Sequence, residues 1–419
     1  MGSDIDDKRP KIREDLEFIP VRSPQGMIIV VRDRLGLVKE GRVINPELYT
    51  FITMLDGTRS FRDIQLYLMR QQGGRLISIE EVERILEEMD SSYLLDGHRY
   101  RELKAQIVSD FHAQRIRRPA HAGLSYPKEP GELRRRLDDI LAAGKRQNIP
   151  KGSIAALVAP HIDLEAGKRV YASAYEAIEA AVPERIVLLG VGHSMQREMF
   201  SLTTKAFETP LGTVETDHRA AAELLRTGSN IISSGDFPHR DEHSIEFQLL
   251  FLQHVLRDVQ FTIVPILCGS LLGSMDEYCR ERYRAMAGDF LRLVADVAGD
   301  GRTLVVAGVD FSHVGPKFGH DMPASLIINQ SETHDRRLLG SLCEMNADGF
   351  WAESREINDR YHVCGFSALA CLLEILPPSQ GHLLDYGIFR EEATQSAVSF
   401  AAALFVGRGD ATEGFSSRR

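Results

Sequence analysis

Three apolar runs without polar alternation, Ile154 to Val158, Ile186 to Leu189 and Leu304 to Ala307, constrain this chain more than any other feature. They are too short for long helices, and runs of this kind suit strands covered on both faces, as in a parallel sheet packed between helices. Each leads into polar residues within a few positions: SIAALVAPH ends at His161, RIVLLGVGH at His193, and TLVVAGVDFSH carries Asp310 and His313. In an open α/β sheet, ligands collect beyond the carboxyl ends of the strands, where loops and helix N-termini converge on a rigid support. One histidine at such a place is commonly a hydrogen-bonded structural group; its recurrence at three strand ends marks a candidate site.

From about Gly152 onward, helical patterns at Tyr171 to Ala181, Asp217 to Arg226 and His243 to Leu256 alternate with strand-like runs such as FTIVPILCG. The late segments HLLDYGIF and SAVSFAAALFVG add further strands, so a mixed α/β sheet is expected over residues 151–408. Residues 18–103 read as a separate small α+β unit. There MIIVVRD and LGLVKEG are expected to pair as a hairpin, followed by helices Pro46 to Leu55, Phe61 to Gln71 and Ile79 to Met89. Ser60 and Ser78 are expected N-caps, and Ser78 with Glu81 fits a capping box. Tyr93 to Leu95 and His98 to Tyr100, separated by Asp96-Gly97, are read as a wing. Residues 104–150, charged and broken by Pro119, Pro127 and Pro130, read as a linker, with Arg115 to Arg118 taken as solvated or linker cations.

A chain of 419 residues with 43% hydrophobic content has enough apolar surface for more than one domain without disulfides. A formal charge of −10 argues against nucleic acid as a partner, which needs a basic surface to displace counterions. No apolar run approaches the ~20 residues of a membrane span, and MGSDIDDKRP lacks a secretory signal's apolar region, so the expectation is a cytoplasmic protein with no membrane partner. Five cysteines without a CxxC pair indicate neither a disulfide framework nor a structural zinc cluster. Cys364, in YHVCGF, is set apart by its position in a loop that can aim a thiolate; the alternative is a small buried residue at the start of the following helix.

The candidate ligands are therefore His161, His193, Asp310, His313, Cys364 and the pair Glu242 and His243 of DEHSIEFQ. Imidazole, carboxylate and thiolate together suit a transition metal, and a histidine off the metal can act as general base near neutral pH. HExxH, GxSxG and Walker A sequences are absent, which removes the standard zinc-protease, serine-hydrolase and NTPase readings. Asp163 either adds a ligand or caps a turn.

VAPH at 158–161, LGVGH at 189–193, FETPLGTVETD at 207–217, DEHSIEFQL at 241–249, VDFSHVG at 309–315, CGF at 364–366 and AVSFAAALF at 397–405 resemble, in order, the motifs of the Memo-like family, of the AmmeMemoRadiSam system type. The resemblance covers about residues 150–408 and implies the fold of class III extradiol dioxygenases, non-heme iron enzymes that cleave catechol rings. It places a metal on His161, His193 and Cys364, with His313, Asp310 and His243 as catalytic groups and Glu242 and Asp163 lining the pocket. Fe(II) or copper is the implied ion, with zinc as an alternative. This chain departs from the pattern at His161-Ile162-Asp163-Leu164, where many relatives have His-Ala-Gly-Tyr, and at Val191-Gly192, where they have Pro-Ser. A thiolate in place of the dioxygenase glutamate favours softer ions such as Cu(I). The N-terminal unit is similar to the winged-helix, PqqD-like domains that bind peptides on an exposed strand, with a dimerisation or docking module as the alternative. Three functions follow from these readings: a metal-dependent redox enzyme acting on a small molecule, a non-catalytic module binding a peptide or a radical-SAM enzyme encoded nearby, and a metal store.

Overall fold

The computed structural model describes residues 9–407 except 25, 40, 72, 145–151 and 229. These fall into two units, one running up to Ala113 with Glu392–Thr394 and one from Gln114 onward. No helix among the described residues is long and apolar enough to cross a membrane.

The N-terminal unit is built from β1 (Leu16–Ser23), β2 (Gly26–Asp33), β3 (Val43–Ile44), α1 (Pro46–Thr53), α2 (Phe61–Gln71), α3 (Ile79–Ser91) and α4 (His98–Ala113). The helices α1 to α3 lie where their apolar spacing puts them, and the Ser78–Glu81 capping box closes the start of α3 in both directions. Two sequence expectations are corrected. The strand containing MIIVVRD pairs with β1, not with LGLVKEG, because the Asp33 carboxylate accepts the N–H groups of Leu35, Leu37 and Val38 and rolls that segment into a turn. Pro20 hid β1 from a strand reading; β1 lies at the edge of the sheet, where a proline's missing N–H is tolerated. His98 to Tyr100 do not form a wing but open α4, since three alternating residues after Gly97 continue into sixteen positions of helix-forming sequence. Behind the sheet, the fully buried Arg13 guanidinium bonds Asp33 at 2.6 and 3.0 Å and Asp15 at 2.9 Å.

The larger unit contains β4 (Ile116–Arg117), α5 (Pro130–Leu141), β5 (Ile154–Ala159), α6 (Lys168–Glu176), β6 (Arg185–Val191), β7 (Phe200–Leu202), β8 (Ala206–Thr209) and β9 (Gly212–Val214). It continues with α7 (His218–Thr227), α8 (His243–Val255), β10 (Thr262–Cys268), α9 (Leu271–Met275), α10 (Arg280–Ala298), β11 (Thr303–Gly308) and β12 (His313–Val314). It ends with α11 (Ile328–Cys343), α12 (Ala347–Ile357), α13 (Phe366–Ile375), β13 (Ser379–Glu391) and β14 (Ser396–Gly407). The main sheet runs β12-β14-β5-β11-β6-β10-β7, with β13 on β14. Its centre, β5-β11-β6-β10, is parallel, while β7, β12, β13 and β14 pair antiparallel, giving the expected mixed α/β fold.

The strands are apolar throughout because both faces are covered. Ala156 and Val158 of β5 face one core with α7 and α10 to α13, whereas Leu157 and Ala159 face the other with α5, α6 and α8. On the second face, Tyr171, Phe251 and Tyr175 stack at 4.7 and 4.6 Å. The stretch read from sequence as a linker is partly built into this unit: Tyr126, Leu133, Leu137 and Ile140 are core residues, and residues 145–150 lie outside the described ones. Arg117 is not a solvated cation but fully buried, paired with Glu246 of α8, a partner 129 positions away that local sequence does not point to.

Candidate metal centre

The parallel strands set the site by register. Ala159 of β5 lies beside Gly308 of β11, and Leu189 of β6 beside Ala307, so the three carboxyl ends are neighbours. His161, His193 and Asp310 each sit two residues past the end of their strand. The first turn of α8 closes over them. Gly308 permits this, because a Cβ there would stand 2.4 Å from the Ser244 carbonyl oxygen. The Ser244 hydroxyl then takes the Val191 N–H at 2.9 Å, tying α8 to the end of β6.

Three imidazoles meet in this corner. His161, His193 and His243 each offer a ring nitrogen, and these atoms lie within 4.8 Å of one another. Ring centroids are 5.1 Å apart for His161–His193, 5.0 Å for His161–His243 and 4.9 Å for His193–His243. An ion bonded at ~2.0 to 2.1 Å to two imidazole nitrogens in tetrahedral geometry holds their centroids about 5 Å apart. The His161 ring is nearly perpendicular to the other two, at 77° and 76°, whereas His193 and His243 are stacked at 17°.

Each ring is oriented by a protein acceptor. His161 Nδ1 lies 2.9 Å from the Gly308 carbonyl oxygen, so it carries the proton and leaves Nε2 as a lone pair. His193 Nδ1 is 3.0 Å from both oxygens of Glu242, and His243 Nδ1 is 3.2 Å from one of them. Glu242 is the N-cap of α8 and also accepts the N–H of Ser244 at 2.9 Å. Burial raises its pKa, but the two imidazoles outweigh that and hold the carboxyl well below its usual range. Burial and the neighbouring rings push His161 well below the ordinary histidine value, which keeps it in the neutral form that binds metals.

Cys364 reaches the same corner from the turn before α13. Gly365 lets that turn lie against the Asp310 carbonyl, where a Cβ would be 2.6 Å from the oxygen. Cys364 Sγ is 3.5 Å from His161 Nε2. Two ligands at ~2.0 and ~2.3 Å from one tetrahedral ion are about 3.5 Å apart. Burial and the Asp310 charge push the thiol well above its usual value, so a bound cation is what would make it a thiolate. Asp310 Oδ2 lies 3.6 Å from His161 Nε2 and its Oδ1 accepts the His161 N–H at 3.0 Å. Burial raises this carboxyl to about 7.

The remaining candidates lie at the margin. His313 Nδ1 is bonded to the Phe311 carbonyl at 2.9 Å and its ring packs on Phe318; burial lowers its pKa to about 4. Asp163 accepts the N–H groups of Glu165 and Ala166, capping the turn before α6. Sequence reasoning missed the support behind Glu242: Arg117 donates to the Glu242 carbonyl at 2.8 Å and the His239 carbonyl at 3.0 Å while paired with Glu246. It also missed His121, whose ring lies 5.7 Å from that of His243.

The donor set and its anchors can be set against known proteins. A profile of the Memo-like protein family matches residues 117–404, which span every group of this site. A MEMO1 family protein of Aquifex aeolicus is 29% identical over 400 residues, 95% of this chain and all of the relative. A MEMO1 family protein of Methanopyrus kandleri is 30% identical over 306 residues, 69% of this chain and 98% of its own length. The protein memo-1 homolog of Caenorhabditis elegans is 28% identical over 268 residues, 62% of this chain and 71% of its own. With the family profile matching well over half of its length, this chain belongs to the Memo-like protein family.

Proposed function

We propose that this corner is a transition-metal centre held by His161 Nε2, the free ring nitrogen of His193 and Cys364 Sγ, and that the protein is a metal-dependent redox enzyme acting on a small molecule. The observation that carries the reading is the pair of separations around His161: 3.5 Å to the sulfur and 5.1 Å between near-perpendicular rings, both matching ligands of one ion. His243 offers a third ring nitrogen within 4.8 Å of those of His161 and His193, with its Nδ1 turned to Glu242. We assign His243 as the neighbouring acid–base group, held through its Nδ1 by Glu242. When bound, Fe(II) or copper, or less fittingly zinc, would supply Lewis acidity and, for the first two, electron transfer.

The chain's own residues then have distinct tasks. Glu242 fixes the orientation of His193 and His243 through their Nδ1 protons. Asp310 Oδ2 holds a proton near neutrality beside His161 Nε2, and His313, kept neutral by burial, is assigned as a proton acceptor. His193 and His243 are partly exposed, at 20% and 27% of their side chains, and give a substrate its way in. Anaerobic loading with Fe(II) or Cu(I), followed by oxygen-consumption assays on catechol-like compounds, tests the reading. Turnover lost in His193→Ala supports it; metal uptake without consumption of oxygen or substrate across the panel refutes the enzymatic part.

A second reading rests on the N-terminal unit, whose strand β1 forms a sheet edge. There the unit serves as a PqqD-like docking module for an extended peptide or a radical-SAM partner, and the pocket is inherited. Peptide binding that survives His193→Ala would favour it.

A further inference from the structure

Two more imidazoles are paired outside this pocket. His320, in the loop after β12, and His362, in the turn before Cys364, have ring centroids 5.0 Å apart with planes inclined at 46°. The separation matches those among the pocket histidines and the about 5 Å expected for two imidazoles on one ion.

The anchoring is also alike. His320 Nε2 lies 2.9 Å from the Arg360 carbonyl oxygen. A carbonyl only accepts, so Nε2 carries the proton and Nδ1 keeps its lone pair; that Nδ1 is buried and has no hydrogen-bond partner. The His362 ring is exposed and lies against that of His320. In His320, one ring nitrogen held by a carbonyl and the other left bare is the arrangement of a metal-ligating histidine, and it repeats that of His161 on Gly308.

The backbone is specialised to present His362. Asn358, Asp359 and His362 all adopt positive φ, at 47°, 55° and 47°, in a turn closed by the His362 N–H on the Asp359 carbonyl at 2.9 Å and the Val363 N–H on the Asp359 carboxylate at 3.0 Å. Non-glycine residues are uncommon in this region, and such clusters gather at ligand sites. The turn leaves His362 exposed while Cys364, two residues on, reaches the inner pocket.

We propose that His320 and His362 form a second, outer site for a borderline divalent ion, Zn(II), Cu(II) or Ni(II), with water completing the coordination. Two protein ligands make it weaker than a three-ligand centre and exchangeable with solvent.

The test is titration of the metal-free full-length protein with Zn(II) against a competing chromophoric chelator. The wild type is expected to bind a weaker equivalent that is lost in both His320→Ala and His362→Ala and retained in His193→Ala. Because His193→Ala removes only the inner site, failure of the inner metal centre leaves this outcome readable. Unchanged stoichiometry and affinity in either outer variant overturns the pairing. As a second readout, Cu(II) bound at the weaker site should show hyperfine coupling to two imidazole nitrogens in the wild type; a spectrum identical in His362→Ala, an exposed position, refutes the site.

Discussion

Replacing Glu246 by alanine leaves the Arg117 guanidinium in the interior without its counter-ion, with side chains 0% and 1% exposed in the native pair. It also strands the N–H groups of Ala120 and His121, each 3.0 Å from the carboxylate, and the Tyr126 hydroxyl. Breaking a buried pair from one side costs about 3–5 kcal/mol, and the orphaned backbone donors place this substitution at the upper end. Combining it with Arg117→Met removes the unpaired charge but not the other stranded donors, so the double variant should recover about 2 kcal/mol rather than the full loss. The chain's single tryptophan, Trp351, is buried in the core of the larger unit, so its fluorescence during urea unfolding reports on that unit. Burial raises the Glu246 pKa but the Arg117 charge pulls it below its ordinary 4.5. The pair's contribution is therefore full above that ordinary value and is lost as pH falls through the lowered one. A loss below about 1 kcal/mol at neutral pH, in the range of exposed pairs, or strict additivity in the double variant, would show that Arg117 and Glu246 are not a coupled buried pair.

Other expectations are equally direct. Asp310 holds its proton to about 7 when folded but to only 3.8 when unfolded, so the folded state binds more protons between those values and stability falls as pH rises through them. In metal-free protein Asp310→Asn should therefore gain on the wild type by up to about 4 kcal/mol between pH 4 and pH 8, read from the Trp351 unfolding midpoint; a pH-independent difference contradicts this. Glu242→Gln weakens the hold on both Nδ1 protons and should lower metal affinity about 10- to 100-fold in equilibrium dialysis, with unchanged affinity counting against the orienting role. Ser78→Ala removes one half of the α3 capping box and should cost the N-terminal unit about 1 kcal/mol by thermal denaturation, with no effect on metal content.

Much of the site was legible because strand ends carry a local signature. The runs ending at Ala159, Val191 and Gly308 are apolar on both faces, and the polar residue two places on is the first free to face the crevice. Glu242 was legible as a pocket residue, but its service as N-cap of α8 and double anchor of His193 and His243 required the register of α8 on the sheet. The partners of Arg117 are 122 to 129 positions away, so charge composition alone suggested a solvated residue. Pro20 masked β1, and three alternating residues were too short to distinguish a wing from the first turn of α4. The His320–His362 pair escaped because its members are 42 positions apart and meet through a turn of positive-φ residues with no apolar periodicity to announce it.

His161, His193 and Cys364 are proposed to share one ion. Cobalt(II) loading of the anaerobic, metal-free protein tests this most directly, because thiolate-to-cobalt charge-transfer absorption reports the sulfur ligand and is silent for an all-imidazole site. This absorption is expected at one equivalent in the wild type and in His243→Ala, and should be lost in Cys364→Ser and His193→Ala. Cobalt bound without that absorption, or absorption lost in His243→Ala but kept in Cys364→Ser, would contradict the shared site.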